Sequence, residues 1–364
     1  MQANLNPRHT TGRRLTRRTL LRQGFVAAGV LGTGVVGLSM VACQAAAPAS
    51  TNAAPAAPTA EPLFQMTVSY DGTPNDMSLF LAKDQGILAK HGLDVTLQQI
   101  AGPTAVSAVL SGQVQVGHSG GSEVIGAAVQ GGDVKIVAVQ SPVFPFLLMV
   151  QPSIKTPADL KGKKVGISSP GGAADTSLRI VLPKLGLEPD TDVTFISLGS
   201  IANQVAGLQS GAIDGTIIVD GPDSYKMQNA GYPSLFDVSK LDVPYVDAVI
   251  HMKSSFIDSH KEVVQNYIDA VIESTLLMRS SKDLSIQELS KIFQGNAADS
   301  YPSTYDYYSQ PNVTVVPPLP KVEDFKNTID ILCKRQTDAC NFDANKMIDA
   351  SFVQSAISRG LTKG

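Results

Sequence analysis

The chain has 364 residues, of which 43% are hydrophobic and 17% charged, and its 29 Lys+Arg against 32 Asp+Glu give a formal net charge of −3. This length is enough for about two domains of ordinary size. The acidic balance excludes the basic character that nucleic-acid binding requires, so we expect no nucleic-acid partner.

The N-terminal segment has the layout of an export signal. Residues 1–43 contain six arginines and no acidic residue, and the apolar run from Gly24 to Val41 is interrupted by further glycines. A membrane span needs about 20 strongly apolar residues, which this run does not supply. We interpret it as the hydrophobic region of a signal peptide, with an N-terminal transmembrane anchor as the alternative.

Two short motifs support the signal interpretation. Residues 40–43 (MVAC) resemble the bacterial lipobox, whose cysteine is lipidated and becomes the mature N-terminus. Residues 16–22 (TRRTLLR) resemble the twin-arginine export motif. These resemblances imply a lipid on Cys43 and a protein anchored by it on the extracytoplasmic face of the cell membrane.

Residues 44–62 (QAAAPASTNAAPAAPTAEP) consist almost entirely of Ala, Pro, Ser and Thr. Such a composition cannot build a core, so we interpret this segment as a tether between the lipid and a folded part, residues 63–364. Without residues 1–43, 23 basic residues remain against 32 acidic ones, and 23 − 32 = −9. The folded part is therefore more acidic than the whole chain.

Strand-like and helix-like patterns alternate from residue 65 onward. Strands are read from alternating or continuous apolar residues, and helices from apolar residues three and four apart. The predicted strands are 65–70, 95–100, 114–118, 134–140 and 146–151, and the predicted helices are 76–84 and 103–110. This alternation predicts an α/β fold with mainly parallel strands.

The alternation restarts at Ile154. The pattern predicts strands at 165–168, 193–198 and 213–219 and helices at 173–185 and 201–208. Residues 109–116 (VLSGQVQV) and 208–215 (LQSGAIDG) each join a helix end, a glycine cap and an entering strand, which predicts the same unit once in each of two lobes. Residues 325–332 are predicted as a helix, and the Tyr- and Pro-rich stretches 301–308 and 311–320 as a loop wrapping lobe one.

Three stretches resemble a known family. Residues 80–95 (FLAKDQGILAKHGLDV), which follow Pro74-Asn75, resemble the opening of the ABC-importer binding proteins for thiamine-pyrimidine precursors, riboflavin, sulfonates, taurine and nitrate. Residues 159–166 (DLKGKKVG) and 211–215 (GAIDG) are similar to that family's second-lobe motifs. The resemblance covers residue 63 to about residue 291.

The resemblance implies a type II periplasmic-binding-protein fold, with a ligand cleft between two α/β lobes. Lobe one would comprise residues 63–151 and 247–364, and lobe two residues 152–246, with hinges at the crossings near 151–153 and 245–247. It also implies a small-molecule ligand, no cofactor, and ABC permease and ATPase subunits as partners. We expect the protein itself to be a monomer.

In open α/β sheets, ligands bind beyond the carboxyl ends of the strands. The turns and crossings at those ends hold small, polar and aromatic side chains. The candidate ligand-binding residues are Asn75, Asp76, Ser119, Gly120, Ser122, Phe144, Ser169, Gly171, Gly172, Ala173, Asp220, Tyr225, Tyr245 and Asp247. Each has a structural alternative, because such polar residues also cap helices or form turns and such aromatics also pack in cores.

Charge near the predicted cleft bears on the ligand. Five aspartates lie there: Asp76, Asp175, Asp220, Asp223 and Asp247. Of the four arginines after residue 43, only Arg179 is near a predicted binding loop. Sulfonate and nitrate require cationic or multiple N–H partners, so we favour a neutral or amine-bearing molecule with hydroxyls. Riboflavin is our first hypothesis and a thiamine pyrimidine precursor our second, with sulfonate, taurine or nitrate as the alternative.

Two other classes of function are alternatives to transport. Some relatives with this fold make the thiamine pyrimidine. The resemblance implies that this chemistry uses an active-site histidine and a cysteine-rich iron-binding segment. Here no cysteine lies between Cys43 and Cys333, and among the later histidines only His118 is placed near the predicted cleft. We therefore expect no enzyme. A surface adhesion or sensory module would share the anchor but would not require a hinged cleft.

The last two cysteines, Cys333 and Cys340, form an even set in an exported chain. They could close a short disulfide loop or remain free thiols. We expect no metal site, because no His or Cys lies near them at ligand spacing.

Overall fold

Two five-stranded sheets, each flanked by helices, make up the part of the chain that the computed structural model describes, residues 62–241, 243–335 and 337–363. The predicted export signal, the lipidation at Cys43 and the tether up to residue 61 lie outside the described residues. Among the described residues, no helix combines the length and the apolar character that crossing a bilayer requires.

The strands and helices alternate through the first two thirds of the folded part, and helices dominate the last third. The strands are β1 Phe64–Tyr70, β2 Leu93–Gln99, β3 Val116–Ser119, β4 Val134–Ser141, β5 Phe146–Val150, β6 Lys163–Ile167, β7 Val193–Ser197, β8 Gly215–Val219, β9 Ser234–Asp237 and β10 Ala248–Lys253. The helices are α1 Met77–Asp84, α2 Ile87–Lys90, α3 Pro103–Ser111, α4 Gly121–Val129, α5 Ala173–Lys184, α6 Ile201–Gln209, α7 Pro222–Asn229, α8 Ser254–Ser259, α9 Lys261–Ser280, α10 Lys282–Ile292, α11 Tyr301–Tyr308, α12 Lys326–Cys333 and α13 Ser351–Ser358.

The first sheet has the strand order β2-β1-β3-β10-β4, and the second has the order β7-β6-β8-β5-β9. In each sheet a single strand runs against its neighbours: β10 is antiparallel to β3 and β4, and β5 is antiparallel to β8 and β9. The remaining strands of each sheet share one direction. The predicted α/β fold with mainly parallel strands is therefore confirmed.

Strand β5 lies in the second sheet, whereas the sequence interpretation places residues 146–151 in lobe one. That assignment is wrong, because Phe146 pairs with Val219 of β8 and Val150 pairs with Gly215. A continuous apolar strand such as FLLMV fits the centre of either sheet, so its composition could not decide between them. The chain first crosses between sheets at residues 142–145, not near 151–153. It crosses back between β9 and β10, a stretch that includes the predicted crossing at 245–247.

Each sheet packs against its own helices. Tyr267 and Ile268 of α9 share a buried apolar cluster with Val68 of β1. Leu178 of α5 shares another with Val165 of β6. Burial of such side chains contributes about 1.5–3 kcal/mol each, so the two clusters hold the two lobes as separately packed bodies.

The glycine-capped repeat has the predicted geometry. Helix α3 ends at Gly112, with φ 81°, and α6 is followed by Gly211, with φ 75°. Backbone of this left-handed type favours glycine because other residues meet a Cβ clash there.

Residues 301–308, predicted as a loop, form helix α11 instead. The buried residues Tyr301, Thr304, Tyr305 and Tyr308 follow the i, i+3, i+4, i+7 spacing of one helix face. Pro302 lies in the first turn, where the missing N–H breaks no helical hydrogen bond. The helical spacing was therefore present in the sequence, and the proline did not argue against it.

Cys333 and Cys340 form a disulfide across a sequence separation of 7. We expect the Cys333→Ser/Cys340→Ser variant to lose about 2 kcal/mol of unfolding free energy, because a short cross-link removes a modest amount of chain entropy from the unfolded state. Urea denaturation with and without reductant measures this loss. Reductant should lower the midpoint of the wild-type protein to that of the variant and leave the variant unchanged, and equal midpoints for all four samples would contradict the prediction.

Candidate ligand-binding site

A cavity of about 650 Å³ lies where loops from both sheets meet. Its wall is formed by the loops that follow β1, β2, β3, β6 and β7 and by the starts of α4 and α5. The end of α10 and the turn after it complete the wall with Ile292, Phe293, Gln294 and Asn296. This is the carboxyl-end position expected for a ligand in an α/β fold, and the volume is in the range of small-molecule sites.

The loop after β1 is organised by Asp76. Its carboxylate accepts hydrogen bonds from the backbone N–H of Gly72 at 2.8 Å and of Thr73 at 2.9 Å. The side chain is 2% exposed and also lines the cavity. Asp76 therefore has the structural role of holding the turn that places Asp71 and Asn75 on the cavity wall.

Asn75 and Asp247 meet on this wall from distant parts of the chain. The Asn75 Nδ2 donates to Asp247 Oδ2 at 2.7 Å, and both side chains line the cavity. Asp247 is the residue just before β10, so the bond ties the loop after β1 to the second crossing between the lobes. Within the described chain, the buried Asn75 Oδ1 has no hydrogen-bond partner.

Glu123, in the first turn of α4, reaches from the first lobe to the second. Its Oε2 accepts a hydrogen bond from Ser122 Oγ at 2.9 Å, and its Oε1 accepts one from the backbone N–H of Ala173 at 2.9 Å. Ala173 is the first residue of α5, whose N-terminal dipole favours a carboxylate. A Cβ at Gly120 would lie 2.3 Å from Glu123 Oε2, so glycine leaves the space that this carboxylate occupies.

The second lobe supplies a mixed polar and apolar wall. Ser169 follows β6, Ala173 begins α5, and Gln204 lies in α6 with its Oε1 accepting a hydrogen bond from Thr216 Oγ1 at 2.8 Å. Phe146 of β5 and Phe293 after α10 are the phenylalanines on the cavity wall. These two rings are placed to contact an apolar or aromatic part of a ligand.

Burial shifts the titration of the carboxyl groups on the wall. It raises the pKa of Asp76 and of Asp247 to about 7, and the charges of Glu123 and Asp76 add to the effect at Asp247. Burial also raises the pKa of Glu123, and burial together with the neighbouring carboxylates raises the pKa of Asp71 well above its ordinary value. Asp223 also lines the cavity, and burial raises its pKa. Five acidic groups therefore face one cavity, and burial disfavours the charged form of each.

Cations are missing from the described wall. Among its described residues there is no Lys or Arg, and burial lowers the pKa of His118 to about 3, which keeps that imidazole neutral. Arg179 pairs instead with Asp175 at 2.8 Å and Asp190 at 2.6 Å, away from the wall. The described wall thus offers carboxylates and no cationic side chain, and its partners for an anion are the N–H and hydroxyl groups at the starts of α4, α5 and α6.

Seven of the fourteen predicted site residues line this cavity: Asn75, Asp76, Ser119, Gly120, Ser169, Ala173 and Asp247. Asp220 and Tyr225 line a separate groove of about 700 Å³ between β9, α7 and α11. There, Asp220 Oδ1 accepts a hydrogen bond from Ser224 Oγ at 3.0 Å, the local turn role that was its structural alternative.

The other five predicted residues lie outside both openings. Phe144 and Tyr245 pack against each other in the second-lobe core, with ring centroids 4.1 Å apart and Tyr245 0% exposed, because aromatics beside a crossing fill the core there. Ser122 is buried and bonded to Glu123. Gly171, with φ 78°, and Gly172, the N-cap of α5, shape the turn that presents Ala173.

Asp71, Glu123 and Phe293 are wall residues that the sequence interpretation did not select. Asp71 directly follows β1 and Glu123 follows the Ser-Gly-Gly-Ser turn, so the strand-end rule reached their neighbours and could have included them. Phe293 comes from the helical C-terminal region, for which sequence offered no link to the cleft. Within the described residues, no group of three His, Cys, Asp or Glu side chains is arranged to hold a metal ion.

The sequence matches a known family over more than half its length. The family described as NMT1/THI5 like matches residues 73–283. A Brucella abortus protein, whose name calls it a binding protein without stating a ligand, is 37% identical over 120 residues. The match covers 32% of this chain and 36% of that protein. The match thus spans about a third of that relative. The 4-amino-5-hydroxymethyl-2-methylpyrimidine phosphate synthase of Schizosaccharomyces pombe is 24% identical over 226 residues, covering 58% of this chain and 64% of the enzyme.

The fold is that of solved binding proteins. The alkanesulfonate-binding protein SsuA from Xanthomonas axonopodis pv. citri, bound to MOPS, has a TM-score of 0.68 at 21% identity, covering 80% of this chain and 100% of SsuA. At this identity the likeness establishes the fold alone. It confirms the predicted two-lobed architecture of periplasmic binding proteins.

Proposed function

Because this chain belongs to the NMT1/THI5-like family, we propose that it is the extracytoplasmic solute-binding component of an ABC importer. It captures a small molecule in the cavity between its lobes and delivers it to a permease that works with an ATPase subunit. It acts as a monomer, held at the cell membrane by a lipid on Cys43 and the tether of residues 44–62. The observation that carries the binding role is a cavity of about 650 Å³ walled by strand ends of both sheets.

The wall favours an amine-bearing heterocycle as ligand. Carboxylates of Asp71, Glu123 and Asp247 accept hydrogen bonds from ring or exocyclic N–H groups, and Phe146 and Phe293 supply apolar contact for a ring. A thiamine pyrimidine precursor has both features in a compact form. Riboflavin follows, because Phe144, Tyr225 and Tyr245 lie off the wall, and of the four aromatics near the predicted cleft Phe146 lines it.

Sulfonate, taurine or nitrate is the second candidate class, and the name of the SsuA relative favours it. Against it stands the described wall without Lys or Arg. The pyrimidine-synthesis role of the S. pombe relative is disfavoured because His118, the histidine on the wall, is bonded through Nε2 to Tyr267 OH at 2.7 Å and held neutral by burial.

Calorimetric titration of the purified protein with 4-amino-5-hydroxymethyl-2-methylpyrimidine, riboflavin and ethanesulfonate tests this proposal. We expect the pyrimidine to bind with a Kd below about 10 μM, equivalent to about −7 kcal/mol, and ethanesulfonate to give no heat. Lobe closure should accompany binding as a smaller radius of gyration in X-ray scattering. Saturable binding of ethanesulfonate with closure would transfer the assignment to the sulfonate class, and binding without closure would count against the importer role.

A further inference from the structure

Five acidic side chains line the described cavity wall, and no protein cation pairs with them. Asp76 holds the turn after β1 and Asp223 lies in α7, which leaves three carboxylates for a ligand. They come from the loop after β1 (Asp71), from α4 (Glu123) and from the residue before β10 (Asp247). In the described chain, none of the three forms an ion pair, while exposed carboxylates such as Asp190 and Asp306 do. Their hydrogen-bond partners are neutral: backbone N–H groups, Ser122 and Asn75.

Buried carboxylates in this arrangement are unfavourable unless a positive charge joins them or a proton neutralises them. Another anion in the same cavity would increase the repulsion. A cation would relieve it at all three positions at once. A positively charged occupant would therefore favour the ionised carboxylates and supply the charge that protons supply in its absence.

Two buried acceptors supply a second, independent observation. Asn75 is 9% exposed and lines the cavity, its Nδ2 is used by Asp247, and its Oδ1 has no hydrogen-bond partner among the described residues. The Oδ1 of Asp71 on the same wall is likewise buried without a partner. A buried acceptor without a partner loses the hydrogen bond it would have in water. Either oxygen gains a partner where a small shift of the loop after β1 lets a ligand N–H or O–H group reach it.

We infer that the ligand is an organic cation, an ammonium, amidinium or protonated aminopyrimidine whose N–H groups donate to Asp71, Asn75, Glu123 and Asp247. This inference rests on the proposed solute-binding function and narrows its ligand by charge. Because Glu123 also accepts the N–H of Ala173 from the second lobe, a cation beside it would contact the carboxylate that links the lobes. Phe146 and Phe293 are available to cover the face of the cation.

Three probes of nearly equal size and different charge test the inference: benzamidinium, benzamide and benzenesulfonate. Binding to the whole protein is followed by ligand-observed NMR and by thermal shift at pH 7.5. We expect benzamidinium to bind at least tenfold more tightly than benzamide and benzenesulfonate not to bind. The dissociation constant of benzamidinium should rise with salt, because a charge pair is screened while an apolar contact is not.

Replacing single wall carboxylates by neutral amides of the same shape shows which residues cause the preference for a cationic probe. In Asp71→Asn and Glu123→Gln, which keep acceptor oxygens but lose a charge, benzamidinium should lose at least tenfold in affinity while benzamide is unchanged. Asp94→Asn, a change at an exposed position on β2, is the matched control and should bind all three probes as the wild-type protein does.

Equal or tighter binding of benzamide or benzenesulfonate would overturn the inference, and so would no binding of benzamidinium at millimolar concentration. These results differ from failure of the solute-binding role itself. Benzenesulfonate that bound and was displaced by ethanesulfonate would leave that role intact with an anionic ligand. If Asp71→Asn and Glu123→Gln bound benzamidinium as tightly as the wild-type protein, the cation would not bind beside these carboxylates, and the inference would also be refuted.

Discussion

Replacing Gly117 with Ala should lower the free energy of unfolding by about 3 kcal/mol. Gly117 lies on β3 in the centre of the first sheet, opposite Ser69 on β1 and His251 on β10. A Cβ there would lie 2.2 Å from Cε1 and 2.4 Å from Nε2 of His251, far inside van der Waals contact. Adding one methyl group to this position therefore requires the imidazole or the strand to move.

The imidazole has little freedom to move. His251 is 0% exposed, and its Nδ1 is 3.3 Å from Ser119 Oγ in a buried hydrogen bond. Without the ring the added methyl has no imidazole to meet, so Gly117→Ala should cost much less stability in a His251→Ala background than in the wild-type protein. This double variant separates the collision with His251 from any general effect of the added methyl.

Urea denaturation of Gly117→Ala, His251→Ala, the double variant and Gly126→Ala measures the effect. Gly126 lies in helix α4, and a Cβ added there would meet no atom within 4 Å, so Ala should be neutral or stabilise by up to about 1 kcal/mol. The prediction is contradicted if Gly117→Ala unfolds within about 1 kcal/mol of the wild-type protein. It is contradicted equally if Gly117→Ala costs as much in the His251→Ala background as in the wild-type protein.

Local pattern in the sequence predicted most of the elements well. Helix 173–185 appears as Ala173–Lys184 and strand 193–198 as Val193–Ser197, because strand and helix periods and glycine caps are local features. Membership of a sheet is not local. The apolar strand β5 could pair in either lobe, and its partner β8, which lies far along the chain, decides which.

The binding wall shows the same division. Asn75, Asp76, Ser119 and Ser169 follow or end strands, so the rule that sites lie at strand ends found them. The contact of Glu123 with Ala173 depends on how the lobes meet, and Phe293 comes from a helical region that wraps back to the cleft. Neither has a signature at the level of sequence spacing. The acidic bias near the cleft was visible in sequence, but the pairing of Arg179 away from it was not.

The second large effect concerns Asp247. We expect its buried carboxylate to lower the free energy of unfolding of the ligand-free protein while it contributes to ligand binding. In protein freed of ligand by unfolding and refolding, Asp247→Asn should raise the free energy of unfolding at pH 8 by about 3 kcal/mol. The substitution removes a buried charge. It keeps an oxygen that can accept the hydrogen bond from Asn75 Nδ2, so the local geometry is retained.

The gain should depend on pH in a defined direction. Burial, aided by the charges of Glu123 and Asp76, raises the pKa of Asp247 from 3.8 to about 7 in the folded protein. Between about pH 4 and pH 7 the folded state therefore binds more protons at this site than the unfolded state, and stability falls as pH rises. Asn does not titrate. The difference between variant and wild type should be near zero at pH 4, grow up to about pH 7, and stay constant above it.

Comparing the two proteins removes the contribution of groups that do not interact with Asp247. The difference retains the coupling of Asp247 to Asp71, Asp76 and Glu123, because these charges raise one another's pKa. Burial lowers the pKa of His118 and of His251 to about 3. Each histidine therefore destabilises the folded state as the pH falls below the ordinary histidine pKa. Both proteins contain both histidines, so this contribution cancels in the difference. Urea denaturation at pH 4, 5.5, 7 and 8 gives the four differences. Asp94→Asn, exposed on β2, should show none.

A cationic ligand should reduce the stability advantage of Asp247→Asn over the wild-type protein. At pH 8, benzamidinium can pair with the Asp247 carboxylate of the wild-type protein, whereas Asp247→Asn offers it no charge at this position. Tighter binding stabilises the folded protein more, in proportion to the logarithm of the ligand concentration over Kd. The advantage of the variant should therefore shrink as benzamidinium is added. The prediction is wrong if the stability difference does not change with pH, or if benzamidinium does not change it. Either result would mean that Asp247 is not a destabilising buried charge that a cationic ligand neutralises.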